Sequence, residues 1–468
     1  MQKNLHEIFK AYDIRGVVAT HLTDDFVKIL GIVLGNQAKK LKVKGLVVGY
    51  DGRLSSPKLS ALLIEGILQS GCDVYDVGMI TTPMVYFANY ELQTYSGIMI
   101  TGSHNPPEYN GFKMVMNGDT LANEKIQHLK TCVENYDINI SNNTITTNSA
   151  NGQHIIIDIT EKYLNKITSD INLKRQVHFV VDAGNGVAGN IAPKLYRRLG
   201  AKVLGLFCTV DGNFPNHHPD PSKIENLQDL IAAVKSSNTE FGLAFDGDGD
   251  RLGVVTKEGN IIYPDRQLML FIADILEKNP NGTILYDVKS TRLLENWIKD
   301  HGGKPVMCKT GHSIIKAKIK ETKAVLAGEM SGHIFFNDDD RWYGFDDGVY
   351  AGARLIEILS FVSDPSALLN ALPNSISTPE INIAIKDHKQ HEIVEKLQKH
   401  AKFATSKKII TIDGLRVEYE TGFGLVRASN TTSVLVLRFE AKTQKELLII
   451  QKEFQYNLKK IAKIKFEI

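Results

Sequence analysis

Four short stretches of this 468-residue chain bring together residue types that do chemistry in combination. Ser103 stands in TGSHNPPEYN, residues 101–110, directly after the apolar run 97–100. Its hydroxyl is expected to emerge where a strand gives way to a loop, as an exposed nucleophile would. Gly102, His104 and Asn105 offer close backbone approach and polar groups, while Pro106 and Pro107 remove two donors and stiffen the exit. An ordinary polar turn is the competing reading, because Ser, Asn and Pro favour turns for local reasons. Asp246, Asp248 and Asp250 alternate with Gly247 and Gly249 after another apolar run. Three carboxylates so close repel one another unless a hard cation sits between them, and the glycines let the backbone curl until they converge. An EF-hand is excluded, since its sixth position is Arg251 and its twelfth Lys257. Mg²⁺ is favoured because it takes a few carboxylates and completes its shell with phosphate oxygen, which Arg251 would flank.

The third stretch, GEMSGH at 328–333, follows an apolar run and holds Glu329, Ser331 and His333. A carboxylate beside a hydroxyl suits vicinal sugar hydroxyls, and an imidazole moves a proton near neutral pH, although taken alone an ordinary Gly-rich turn is the stronger reading. The fourth, TGFGLVRASNTT at 421–432, reads equally as an ordinary loop or as a phosphate-holding one, in which Arg427 supplies a charged fork and Ser429, Asn430 and Thr431 fill the remaining acceptors. Gly184, Gly186 and Gly189 match the dinucleotide pattern GxGxxG, with Asp211 near the place of a ribose-binding acid. No second feature of hydride chemistry accompanies them, so a tight turn is preferred. Gly303 and Lys304 are followed by Pro305, which excludes a phosphate-binding Walker loop.

These stretches need scaffolds, and the chain alternates helical and strand patterns to supply them. Strands are expected at 45–50, 73–77 and 97–100 with helices at 26–39, 57–69 and from 83. The pattern resumes with strands at 177–182, 201–207 and 241–245 and helices at 188–199 and 225–235. It recurs with helices at 265–276, 291–299 and 313–320 and strands at 283–288, 305–309 and 324–328. That is an α/β chain with mostly parallel sheets. From about 375, strands at 380–385, 408–412, 416–419 and 433–439 dominate, with helices at 388–402 and 444–461, an α+β pattern. The polar segment 139–153 reads as a linker. Four domains are expected: 1–150 with the serine loop, 151–256 with the aspartate loop, 257–370 with the sugar-recognition loop, and 371–468 with the phosphate-binding loop.

Composition agrees with an ordinary globular protein, at 43% hydrophobic and 23% charged residues. A net charge of +2 gives no field of the kind nucleic-acid binding needs. Cys72, Cys132, Cys208 and Cys308 form no C-x-x-C pair, which fits a reduced, cytoplasmic setting. No run of about 18 apolar residues occurs, so no membrane span is expected.

Taken in order, FKAYDIRG at 9–16, TGSHNP, DGDGDR, KTGHS at 309–313, GEMSGH and RASNTT resemble the motifs of the α-D-phosphohexomutases over essentially the whole chain, and within them the bacterial phosphomannomutase/phosphoglucomutase branch. The resemblance implies three αβα domains and a C-terminal α+β domain around a central cleft. It implies that Ser103 carries a phosphoryl group and ligates Mg²⁺ with Asp246, Asp248 and Asp250. Arg15, Lys113, Arg251 and Tyr12 would surround the phosphoserine or substrate, with His333 transferring a proton. Lys289 and His312 would touch the substrate, Glu329 and Ser331 would read sugar hydroxyls, and Arg427, Ser429, Asn430 and Thr431 would hold the phosphate that is not transferred. The implied activity interconverts hexose 6-phosphate and hexose 1-phosphate, of mannose and of glucose, with a hexose 1,6-bisphosphate as intermediate and activator. Hexose phosphates are the implied partners and a monomer the expected state. The fourth domain is expected to swing about a hinge near 372–375 while the bisphosphate turns. Thr101 and Gly102, where glucosamine mutases usually carry SASHNP, and Met330 lean towards the mannose/glucose branch. A phosphoglucosamine mutase is the alternative. A non-catalytic phosphosugar-binding protein, which has no use for Ser103 and three aspartates, is the less favoured one.

Overall fold

Short runs of Val, Ile, Leu and Phe, apolar on both faces, form sheets that must be covered on both sides. In the computed structural model, which describes residues 5–141, 151–338, 341–430 and 432–467, such runs build three similar sheets. Thr431 and residues 142–150 of the expected linker lie outside the described residues. The first sheet runs in the order Ile14–Val17, Tyr109–Met116, Gly97–Ile100, Leu46–Tyr50, Val74–Met79, His154–Ile156. The second runs Ile261–Ile262, Leu252–Thr256, Phe241–Phe245, His178–Asp182, Lys202–Leu206, and the third Lys304–Cys308, Thr283–Asp287, Leu326–Gly328, Ile334–Phe336.

Each of these sheets has a parallel centre closed on one side by an antiparallel hairpin. The hairpins are Gly97–Ile100 with Tyr109–Met116, Phe241–Phe245 with Leu252–Thr256, and Leu326–Gly328 with Ile334–Phe336. Their turns carry Ser103, the three aspartates, and Glu329 with Ser331 and His333. The three chemical loops therefore occupy one equivalent position in three like sheets, which is the repetition that the alternating pattern suggested.

The fourth sheet is antiparallel, in the order Ile376–Ser377, Val434–Ala441, Gly422–Ala428, Leu415–Glu418, Lys408–Ile410, with Ile381–Ala384 also pairing to Val434–Ala441. Helices Gln390–His400 and Gln444–Ala462 pack against it. Here the expected loop at 421–432 is corrected: Gly422–Ala428 is a wholly buried strand, and only the turn after it is loop. Its glycines do not end the strand. They admit neighbours, as where Phe454 packs onto Gly424.

Other differences have local causes. The expected helix at 188–199 is a 3₁₀ turn, Val187–Asn190, followed by Ala192–Arg198, since Pro193 suits a helix start. Strand His154–Ile156 pairs parallel with Val74–Met79, so the first sheet draws its last strand from beyond 150. Ile261–Ile262 likewise extends the second sheet past 256.

One apolar core runs through the first three units, from Val47 and Met99 through Phe179 and Phe241 to Leu268 and Leu326. The fourth has its own core around Val417, Leu437 and Phe454. It joins the third through a small cluster, Val288, Phe423 and Leu425, and through buried arginines. Arg416, fully buried, donates to the carbonyls of Val288 and Ser290 at 2.6 and 2.7 Å and lies 3.6 Å over the Phe423 ring. Arg438 bonds the Lys289 carbonyl and pairs with Asp265 at 3.1 Å. All four cysteines are unpaired, and among the described residues no helix is long and apolar enough to cross a membrane.

Replacing Arg416 with Met leaves two buried carbonyls without donors and is expected to cost about 3 kcal/mol at this boundary. Calorimetry should then resolve an earlier unfolding transition for the fourth unit. A single transition at the wild-type temperature would contradict this account of the joint.

Candidate active site

Ser103 is 2% exposed and adopts φ +47°, the left-handed region, which costs a non-glycine residue about 1 kcal/mol and persists only where the surroundings dictate it. The surroundings do so. Thr101 Oγ1 accepts from the Ser103 amide at 2.7 Å, and Asp51 in turn accepts from Thr101 Oγ1 at 2.7 Å and from the Gly102 amide at 3.2 Å. The buried Arg53 guanidinium donates to four loop carbonyls, of Ser103 (2.7 Å), Asn105 (2.5 Å), Pro106 (2.6 Å) and Tyr109 (3.0 Å). A Cβ on Gly102 would lie 2.5 Å from Arg53 Cζ, so with the guanidinium in this place the glycine gives it room. His218 bonds the His104 carbonyl from the second unit.

The aspartate turn is pressed onto this loop. A Cβ on Gly247 would fall 2.4 Å from the Ser103 carbonyl, and the missing side chain lets the two turns touch. Ser103 Oγ donates to Asp246 Oδ2 at 3.1 Å. Asp246, Asp248 and Asp250 are fully buried, with one ligand oxygen from each lying within 4.8 Å of the others. Lys113 Nζ reaches Asp248 and Asp250 at 2.6 and 2.5 Å, and Thr82 Oγ1 donates to Asp248 at 2.5 Å. Burial, then Asp250 and Asp248, push the Asp246 carboxyl well up. Burial opposes ionisation of Asp248 as well, but Lys113 with the Thr82 and Ser103 hydroxyls outweighs it and holds that acid down. One lysine cannot balance three carboxylates, and Asp248 Oδ1 and Asp250 Oδ1 are buried without partners. The donor set, all hard oxygen with lone pairs to spare, fits a divalent cation.

Around this centre, Arg251 lies 3.7 Å from Asp246 and donates from Nε to His333 Nε2 at 3.2 Å. With Nε2 accepting, the His333 proton sits on Nδ1, which faces Asp346 at 3.0 Å and Asp250 at 3.6 Å. Asp346 also pairs with Lys316 at 3.0 Å. The His312 ring stacks on His333 at 5.8 Å, and burial holds it neutral. Tyr12 lies edge-on to His312 and accepts from Asn430 at 2.5 Å. Contacts thus run unbroken from Ser103 through Asp246, Arg251, His333, His312 and Tyr12 to Asn430. Arg15 reaches the serine loop through Asn105 at 2.7 Å. Glu329, 3% exposed, accepts from the Gly311 amide at 2.6 Å, and burial raises its carboxyl. Ser331 is half-buried on the same turn.

On the fourth unit Arg427 pairs with Asp413 at 3.1 Å, beside the buried Ser429. Lys289 of the third unit pairs with Glu380 of the fourth at 2.6 Å. A cavity of about 400 Å³ opens beside the Tyr12 to Asn430 contact, lined also by Lys309, Asp413, His391 and Glu395.

Sequence reasoning missed Asp51, Arg53, Thr82, His218, Asp346, Glu380 and Asp413. The triplet Asp51-Gly52-Arg53 had a signal, since it follows the apolar strand Leu46–Tyr50 as the other loops follow theirs. The others act through partners distant in the chain.

The four domain descriptions of phosphoglucomutase/phosphomannomutase match this chain in order: alpha/beta/alpha domain I over residues 6–139, domain II over 161–259, domain III over 263–376, and the C-terminal domain over 380–455. The chain is 55% identical over 450 residues to a phosphoglucomutase of Neisseria gonorrhoeae, covering 96% of each. It is 53% identical over 455 residues to a phosphomannomutase/phosphoglucomutase of Pseudomonas aeruginosa, covering 97% of this chain and 96% of that one. A crystal structure of a phosphoglucomutase/phosphomannomutase family protein from Burkholderia thailandensis superposes with a TM-score of 0.91 at 50% identity, over 98% of both chains. With all four domains matched and half the residues shared along nearly its whole length, the chain belongs to the phosphoglucomutase/phosphomannomutase family.

Proposed function

We propose that this protein interconverts hexose 6-phosphate and hexose 1-phosphate, of mannose and of glucose, through a phosphorylated Ser103. The observation that carries the reading is Ser103 itself, buried in a left-handed conformation with its Oγ 3.1 Å from Asp246. A polar turn without function has no reason to hold a serine in that conformation against three buried carboxylates. The relatives named for both sugars support the same reading.

In the forward direction the phosphoryl group leaves Ser103 Oγ as its phosphorus bonds the free hydroxyl oxygen of the sugar phosphate, and that hydroxyl loses its proton to a base. His333 is the candidate for the proton, its Nε2 taking over the hydroxyl proton as the Arg251 Nε bond to it gives way to phosphate. The product is a bound hexose 1,6-bisphosphate, which turns end for end and returns its other phosphoryl group to Ser103. Mg²⁺, held by Ser103 and the three aspartates, would neutralise charge on the transferring group. Lys113 and Arg251 flank the same oxygen cluster, where fixed positive charge lowers the barrier to phosphoryl transfer, and Arg15, held on the serine loop through Asn105, would add to it. Glu329 and Ser331 would grip a hydroxyl pair, with Lys289, His312 and Tyr12 alongside. Arg427, Ser429, Asn430 and Thr431 would hold the resting phosphate. None of these needs to read the C2 configuration, so mannose and glucose are both accepted.

Three experiments test this. Ser103→Ala is expected to lower kcat by at least about a thousand-fold, and to abolish the one-phosphoryl mass gain of protein primed with glucose 1,6-bisphosphate. An alanine variant that still isomerises its substrate would end the proposal. Stripping divalent cations with a chelator should remove turnover and raise the mobility of the 246–250 turn in hydrogen exchange, and added Mg²⁺ should reverse both. Arg53→Lys, whose ammonium cannot bridge four carbonyls, should cost about 10²-fold in kcat while phosphate binding at the fourth unit is unchanged. Equal losses in both would make Arg53 a general folding residue instead.

A further inference from the structure

Two cations that the mutase reading places on the substrate, Lys289 as a contact and Arg427 on the resting phosphate, are each engaged by a carboxylate of the fourth unit. Lys289 Nζ lies 2.6 Å from Glu380 Oε1, and Arg427 Nε lies 3.1 Å from Asp413 Oδ2. The Arg427 pair is withdrawn from water, at 8% and 14% exposed, whereas Lys289 is 8% exposed and Glu380 33%, so that pair is partly solvated. The groups also sense one another. Partial burial works against the Glu380 carboxylate, and Lys289, then Arg438 and Arg427, outweigh it and hold the acid down to about 2. Asp413 Oδ2 accepts the Thr310 amide at 3.1 Å too, so its position is fixed from the third unit.

We propose that Glu380 and Asp413 are counter-ions built into the phosphate clamp, holding Lys289 and Arg427 part-neutralised so that a hexose bisphosphate is gripped loosely enough to be released and turned. The inference rests on the mutase reading. A reaction that must bind the same intermediate in two orientations gains nothing from a clamp that holds one orientation tightly, because uniform grip does not lower the chemical barrier. Two bare cations with backbone amides would make a strong dianion trap. Each carboxylate subtracts one charge at close range, where the local dielectric makes a single charge worth about ten-fold in affinity. The boundary does not need these pairs for cohesion, since Arg416 and Arg438 already fasten it to three carbonyls.

The test uses the near-isosteric variants Glu380→Gln and Asp413→Asn in the full-length enzyme, which keep acceptors for Lys289, Arg427 and Thr310 but lose the charge. Calorimetric titration with inorganic phosphate and with glucose 1,6-bisphosphate should show each variant binding about ten-fold tighter than wild type. Steady-state turnover should show KM and kcat falling together, which a merely structural defect does not produce. The gain of Glu380→Gln should vanish when Lys289→Gln is added. Glu380→Asp and Asp413→Glu, which retain charge, should stay near wild-type affinity and keep the test decisive if a neutral variant folds poorly. Unchanged or weaker phosphate binding in both neutral variants overturns the counter-ion role. Wild-type turnover separately decides the mutase reading.

Discussion

Burying three carboxylates beside a serine oxygen is the constraint on which the rest of this molecule depends. Each of Asp246, Asp248 and Asp250 is fully withdrawn from water, and mutual repulsion in that setting would unfold the turn were it not offset. Lys113 offsets two of them, and it belongs to the first unit, on the strand that leaves the serine loop. The first and second units are thus joined by the same charges that equip the site for a cation. Gly247 and Gly102 follow from this closeness: one admits the Ser103 carbonyl and the other the Arg53 guanidinium. The conformation of Ser103 is a consequence of its neighbours on every side.

The hairpin geometry explains how one cleft receives four different chemistries. A parallel centre needs long crossovers, whereas an antiparallel pair can turn within a few residues and present that turn at the sheet end. Three sheets place such a turn at the same position, and the fourth, wholly antiparallel, offers its own between Gly422–Ala428 and Val434–Ala441. The side chains on these four turns can therefore change in sequence without altering the scaffold beneath them.

What the sequence disclosed follows from how local each signal was. Ser103, the three aspartates and GEMSGH were readable because each sits in a polar turn directly after an apolar strand, a contrast confined to about ten residues. The sheets of the first three units were readable for the same reason. The strand Gly422–Ala428 was not, because its glycines mimic a loop while serving close contacts to Phe454 and Glu440 that no local pattern announces. Strand Tyr109–Met116 was hidden by Asn110 and Gly111, although Asn110 is buried and bonds Ser55 and Ser56. Arg53 was passed over, yet it is 1% exposed and its partners lie about fifty residues on. Asp346 meets partners 13 to 34 residues back, and Asp413 binds both Arg427 of its own unit and the Thr310 amide of the third. Burial of a charge is decided by partners far along the chain, and the residues themselves carry no mark of it.

The division of the core adds a last step. Three units share one continuous apolar interior, which suits a centre where serine, aspartates and histidine must keep distances of about 3 Å. The fourth has an interior of its own and meets the third through few apolar side chains and several charge-assisted bonds to backbone. An apolar interface resists sliding because every displacement opens a gap, whereas bonds from a long arginine to carbonyls tolerate small rotations while they hold. The turn proposed as phosphate clamp thus rides on the unit joined by few apolar contacts, and the serine and aspartate loops rest on those that share one interior. The proposed turn of a bisphosphate would need that asymmetry, since space would have to open at the fourth unit without disturbing the serine and aspartate loops.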